Sequence, residues 1–121
     1  MVEVTRGLIV ICDLNPIRGT EQGGIRPVII VQINQANAVS PHTIIAPLTS
    51  KIRRKLLPSH VFISAGIGGL NKDSVILCEQ IRVVDKSRII SVIGYLDDNY
   101  IQELNQALLT ILGLNQIDIE T

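Results

Sequence analysis

Residues Glu21–Val31 read EQGGIRPVIIV, a polar loop with two adjacent glycines that runs without interruption into an apolar strand. Gly23 and Gly24 let the backbone turn through positive φ, while Pro27 fixes φ directly after Arg26 and biases Arg26 toward an extended conformation. Val28–Val31 are β-branched or apolar with no polar face, which predicts a strand buried on both sides. Arg26 is therefore expected on a stiff stub at the mouth of a core strand, where its planar five-donor fork suits an oxyanion or phosphate. An ordinary surface turn, with a local carboxylate such as Glu21 as the partner of Arg26, fits the same residues, and the stretch alone does not separate the two.

Working outward, Gly7–Leu14 (GLIVICDL) is an apolar run ended by Asn15-Pro16, which predicts a buried strand and then a turn. Asn34–Pro41 (NQANAVSP) is a polar connection, and the strand that follows, HTIIAPLTS from His42 to Ser50, contains Pro47 and so must lie at an edge or a bulge. Lys51-Ile52-Arg53-Arg54-Lys55 places four cations in five positions, ahead of a strand at His60–Ser64. Ala65–Leu70 (AGIGGL) has the glycines of a phosphate-cradling loop but neither GK[ST] nor a helical continuation, and is expected to be a turn. Asp73–Val84 predicts one long strand, and Ile89–Gly94 a short one. From Asp97 the period changes: Ile101, Leu104, Leu108, Ile111 and Leu112 recur at helical spacing, Asp97 or Asp98 can cap the first turn, and Gly113 stands where a helix end favours αL. The expectation is a mainly β chain of about five or six strands, a small barrel or strongly curled sheet with one amphipathic C-terminal helix packed on it.

At 121 residues and 46% hydrophobic the chain suits a single domain of 1–121, with the barrel at about 5–95, the helix at about 97–113 and a short tail at 114–121. No apolar run reaches the roughly 18 residues of a membrane span, and MVEVTRG has no charged segment leading into a long apolar one, so a cytoplasmic protein is expected. Cys12 and Cys78 each lie inside an apolar run without CxxC spacing, which predicts buried free thiols and no metal site. Net charge is zero but unevenly spread: all 11 Lys and Arg lie at or before Arg88, against six acids over that span, while five acids and no base follow it. A basic body with an acidic C-terminal appendage permits nucleic-acid binding without requiring it.

With these residues laid out, the chain resembles the MazF/PemK family of toxin endoribonucleases over nearly everything from Arg6 to Leu114. The blocks that carry the resemblance are the Arg6-Gly7 opening, NPIRGTEQGGIRPVIIVQ (Asn15–Gln32), IIAPLTS (Ile44–Ser50), LPSHV (Leu57–Val61) and LNKDSVILCEQIRVVDKSR (Leu70–Arg88). The resemblance implies an SH3-like β-barrel of the CcdB/Kid/MazF type. It implies a metal-independent, cofactor-free ribonuclease that cuts single-stranded RNA at short sequences, works as a homodimer and is neutralised by a cognate antitoxin. The family's catalytic arginine falls on Arg26 and its catalytic threonine on Thr49; the acidic residue of its EQGG loop falls on Glu21, either as general base or as a holder of Arg26. The ribose 2′-OH beside the scissile phosphate would attack it, leaving a 2′,3′-cyclic phosphate and a 5′-OH end. Since Arg stays protonated up to a pKa of about 12 or above, Arg26 is better suited to clamp the developing phosphorane charge than to act as a base.

Lys51, Arg53 and Arg54 are candidate phosphate contacts, although a charge run of this kind is also what a solvated face looks like. Gln80 and Asn34 are candidates to read base edges, with structural hydrogen bonding as the commoner fate of such residues; His60 and His42 are expected to be structural. The chain departs from the family pattern in having Leu8 after Arg6-Gly7 and no aromatic in its first strand. Its only aromatics are Phe62, Tyr95 and Tyr100, so ring stacking, worth about 1–3 kcal/mol per base, is not offered by the Asn15–Arg26 loop. A non-catalytic binder of the same fold, such as a CcdB-like gyrase poison, and an inactive interaction module are the alternatives. An acidic, partly apolar disordered segment is the kind of antitoxin expected to lie along the basic body.

Overall fold

The computed structural model describes residues 3–52 and 55–115, so Arg53, Arg54 and the acids Asp118 and Glu120 lie outside the described residues. Its strands are β1 (Leu8–Asp13), β2 (Ile25–Ile30), β3 (His42–Thr49), β4 (His60–Ile63), β5 (Ser74–Leu77), β6 (Arg82–Asp85) and β7 (Ile89–Tyr95). All pair antiparallel in the order β4-β5-β3-β2-β1-β7, with β6 also on β3. Since β4 and β7 end this path, the expected barrel is an open, curled sheet. A one-turn helix α1 (Asn34–Asn37) and the C-terminal helix α2 (Asp98–Ile111) complete the fold.

The central strands are apolar on both faces because both faces are covered. Ile9, Ile29, Ala46 and Leu48 point into a core with Val61, Ile76 and the α2 residues Leu104 and Ala107. Their neighbours Val10, Cys12, Val28, Ile30 and Ile45 point the other way, into a second core closed by Val4, Leu14 and Val84. The period of two along each strand thus divides one apolar run between two cores.

Asp73–Val84, expected as a single strand, is two strands separated by a turn at Cys78–Gln80. Continuing the Leu48↔Ile76 register would set His42 opposite Arg82, but its partner is Asp85; the three residues of difference are the turn. Pro47 explains why the break is tolerated. The Ile44 carbonyl accepts from Val31 and Gln32, so alternate residues of β3 direct their backbone groups to β2 and the others, Pro47 included, to β5 and β6. The missing N–H of Pro47 therefore faces the looped-out residues, where no ladder bond is needed, which is the bulge position its sequence demands.

Asp97 caps α2, accepting from the N–H groups of Asn99 and Tyr100 at 3.1 and 3.3 Å. The helix ends in a Schellman motif: Gly113 (φ 72°) donates to Thr110 and Leu114 donates to Leu109. Ala107 is buried while Ile111 and Leu112, assigned to the apolar face from their spacing, are 42% and 52% exposed. The Ala65–Leu70 segment is a turn, as expected, and its glycines serve packing: a Cβ on Gly69 would stand 1.9 Å from the Ile93 carbonyl oxygen and one on Gly94 would stand 2.2 Å from that of Gly68. α1 was expected as plain connection. It exists because buried Asn37 accepts from Gln32 Nε2 and Thr43 Oγ1 at 2.9 and 2.8 Å and donates to the Gln32 carbonyl at 2.9 Å.

Candidate active site

The loop from Leu14 to Gly24 leaves β1 and returns as β2, and its conformation is held at base and tip. At the base, Leu14 donates to the Gly24 carbonyl and Gly24 donates to Asn15 Oδ1, both at 3.0 Å, with Gly24 at φ 82°. Arg82 donates to the Leu14 carbonyl at 3.0 Å, and Arg88 to the Asp13 carbonyl at 3.1 Å and to that of Asn15. At the tip, Gln80 takes the Gln22 N–H on Oε1 at 3.1 Å and gives an Nε2 hydrogen to the Thr20 carbonyl at 3.2 Å.

Arg26 is half-buried at the start of β2. Its Nε donates to the Gly23 carbonyl at 2.7 Å and its Nη1 to the Leu48 carbonyl at 3.1 Å. One bond ties the guanidinium to the loop and the other to β3, one residue before Thr49. Two of its five N–H donors are engaged in this way, which leaves three, among the described residues, for a ligand. Thr49 Oγ1 accepts from the Lys51 N–H at 3.1 Å. That bond uses a lone pair, so the hydroxyl proton is free to be donated.

Arg26 and Thr49 line a cleft of about 660 Å³ together with Lys51, His60, Glu79 and Gln80. Glu21 does not line it: its carboxylate accepts from the Arg18 N–H at 2.8 Å within a local turn, and among the described residues no ion pair joins it to Arg26. The carbonyls of Gly23 and Leu48 do the holding that Glu21 was expected to offer. Asn34 lies beyond the opposite end of β2, where its Oδ1 accepts from the Arg6 N–H at 2.6 Å.

Glu79 is the cleft residue that sequence reasoning passed over. His60 Nδ1 accepts from the Leu57 N–H at 3.0 Å, so Nε2 carries the proton that reaches Glu79 Oε2 at 3.0 Å. Ser59 Oγ donates to the other carboxylate oxygen at 3.0 Å. Burial would raise the Glu79 pKa, but its own backbone N–H and the bonds from His60 and Ser59 outweigh this and hold it below the usual carboxylate value. A signal for the pair was present only in LPSHV and CEQ separately; nothing local joins residues 19 apart in sequence.

The arrangement supplies a fixed cation with spare donors and a hydroxyl donor at the junction of a loop and a strand end, which is suited to a phosphodiester. Comparison with known proteins identifies the family. A family model described as PemK-like, MazF-like toxin of type II toxin-antitoxin system matches residues 5–112. The chain is 46% identical over 112 residues to Endoribonuclease MazF of Staphylococcus saprophyticus, covering 93% of each protein. The crystal structure of MazF from Deinococcus radiodurans superimposes with a TM-score of 0.79 at 27% identity, covering 93% of this chain and 99% of that one. A MazE-MazF crystal structure from the same organism gives 0.73 at 27% identity, covering 94% and 99%. With its fold and its sequence in agreement over nearly the whole length, the chain belongs to the PemK-like, MazF-like toxins of type II toxin–antitoxin systems, a family of endoribonucleases.

Proposed function

We propose that this chain cuts single-stranded RNA without a metal ion, with Arg26 and Thr49 as its catalytic residues. The observation that carries the proposal is the seat of Arg26: a guanidinium fixed by the Gly23 and Leu48 carbonyls, lining the same cleft as Thr49, with three donors unengaged among the described residues. The 2′-oxygen attacks the adjacent phosphorus as its proton leaves, and the bond from phosphorus to the 5′-oxygen breaks as that oxygen gains a proton. The products are a 2′,3′-cyclic phosphate and a 5′-OH end. Arg26 stabilises the charge gathering on the non-bridging oxygens, and Thr49 donates to a non-bridging or leaving oxygen. Glu21 contributes by shaping the turn that leads to Gly23 and Arg26. Lys51 binds a neighbouring phosphate from the cleft rim, and the same cationic segment of the sequence, Arg53 and Arg54 included, is where an acidic antitoxin segment would compete with RNA.

The chain is further proposed to act in the cytoplasm and as a homodimer. The apolar surface that supports a dimer lies on an end strand of the sheet. Gly7–Leu14 is covered between β2 and β7, whereas Ile90, Val92 and Tyr95 on the end strand β7 are 55%, 43% and 71% exposed. Arg26→Ala and Thr49→Ala test the catalytic assignment. Each should lower the cleavage rate about a hundredfold, on the order of 3 kcal/mol of barrier, with folding retained. Arg26→Lys should fail as well, since a point charge does not reproduce the fork. Wild-type rates in either alanine variant would remove that residue from the mechanism.

A further inference from the structure

Arg26 and Thr49, together with Ser50, also line a second cleft of about 410 Å³. Its walls include Ile11 of β1 and Ile93 of β7, both half-buried, and its rim carries Asn71 and Lys72, both exposed. The rim is rigidly presented. Ser74 Oγ donates to the Lys72 carbonyl at 2.9 Å, and Asp73 Oδ1 accepts from the Ala65 N–H at 2.8 Å, so two bonds fix the chain where it leaves Lys72.

A phosphodiester cut at Arg26 has a nucleoside on each side, and the groups that would cut it line both clefts. We propose that the second cleft seats the RNA strand on one side of the scissile phosphate, with Ile11 and Ile93 as an aliphatic platform for the base and Lys72 bound to the next phosphate. The first cleft, with Lys51 on its rim, seats the strand on the other side. The inference rests on Arg26 and Thr49 being the cleavage pair. Phe62, Tyr95 and Tyr100 line neither cleft, so base faces here meet aliphatic side chains. Lys72 enters no ion pair among the described residues, which leaves its ammonium for a phosphate.

The test uses RNA oligonucleotides with one cut site, shortened stepwise on the 5′ or the 3′ side, with the wild type, Lys72→Ala and Lys51→Ala. Wild-type cleavage, lowered about a hundredfold in Arg26→Ala, first establishes the cleavage pair; its failure would refute that reading rather than this one. Given cleavage, Lys72→Ala should raise KM several-fold with little change in kcat. It should also lower the slope of log KM against log salt by about 0.7, the loss of one single-strand phosphate contact. Its effect should vanish on oligonucleotides shortened on one side only, and that of Lys51→Ala on those shortened on the opposite side. Unchanged KM and salt slope in Lys72→Ala, or dependence of both variants on the same side, would overturn the proposal. Lys72 is exposed, so melting curves should coincide and exclude misfolding as the cause.

Discussion

Gln80→Met removes both hydrogen bonds that hold the tip of the Leu14–Gly24 loop while keeping the length of the side chain. The lost bonds are the 3.1 Å one from the Gln22 N–H and the 3.2 Å one to the Thr20 carbonyl. Both loop groups can turn to water once released, so each bond counts near the lower end of the range, about 0.5–1 kcal/mol. Together they shift the closed–open equilibrium of the loop by about 1–2 kcal/mol, a factor of roughly 5–30. Arg26 feels this through the Gly23 carbonyl, whereas its bond to Leu48 on β3 is untouched. Hydrogen exchange and limited proteolysis, on the protein without RNA, should show the loop opening by that factor while β1 to β3 keep their protection. The cleavage efficiency should fall by no more than the same factor. Gln80→Glu should open the loop too, because an oxygen then faces the Thr20 carbonyl. Unchanged exchange at the loop amides of Gln80→Met would show that the two bonds do not hold the tip, whatever happened to activity.

Three further outcomes follow from the packing and the electrostatics of the fold. Gly94→Ala forces a Cβ to within 2.2 Å of the Gly68 carbonyl oxygen, a backbone atom, and should cost on the order of 3 kcal/mol; a melting temperature within about 2 °C of wild type would contradict that packing. Burial, with Glu79 adding to it, pushes the Cys78 thiol up to about 12, so thiol reagents at about pH 8 should leave it unmodified until the chain unfolds, and rapid labelling of the native protein would count against its burial. Glu79 titrates below its ordinary value of 4.5 in the folded chain, so its stabilisation is complete above that pH and is lost as pH falls through the folded pKa. At this solvent-screened position it amounts to less than about 1 kcal/mol; Glu79→Gln should flatten the acid limb of stability by that much, and an identical limb would refute the His60–Glu79 assignment.

Local chemistry made much of the fold legible. Val28–Ile30 declare burial on both faces by carrying no polar residue, Pro47 declares a bulge by lacking a donor, and Asp97 and Gly113 mark the helix ends. Where the expectation failed, the cause was not local. The break at Cys78–Gln80 is set by how β5 and β6 pair with β3, and apolar-then-alternating residues look alike whether or not three of them are looped out. α1 depends on Gln32 and Thr43 reaching Asn37 from outside the helix. At the site, Arg26 and Thr49 could be named from their motifs, but what seats Arg26 is a pair of backbone carbonyls, which no side-chain pattern records. The same applies to Gln80, whose amide is committed to the backbone of the loop.

Incubation of the purified protein with a long single-stranded RNA in EDTA, followed by chemical mapping of the new ends, shows whether the 2′-OH attacks without a metal ion. Discrete cuts bearing 2′,3′-cyclic phosphate and 5′-OH termini, formed about a hundredfold more slowly with Arg26→Ala, are the predicted result. Cleavage that requires an added divalent cation, or fragments that carry 5′-phosphate ends, would contradict attack by the 2′-OH under an arginine clamp.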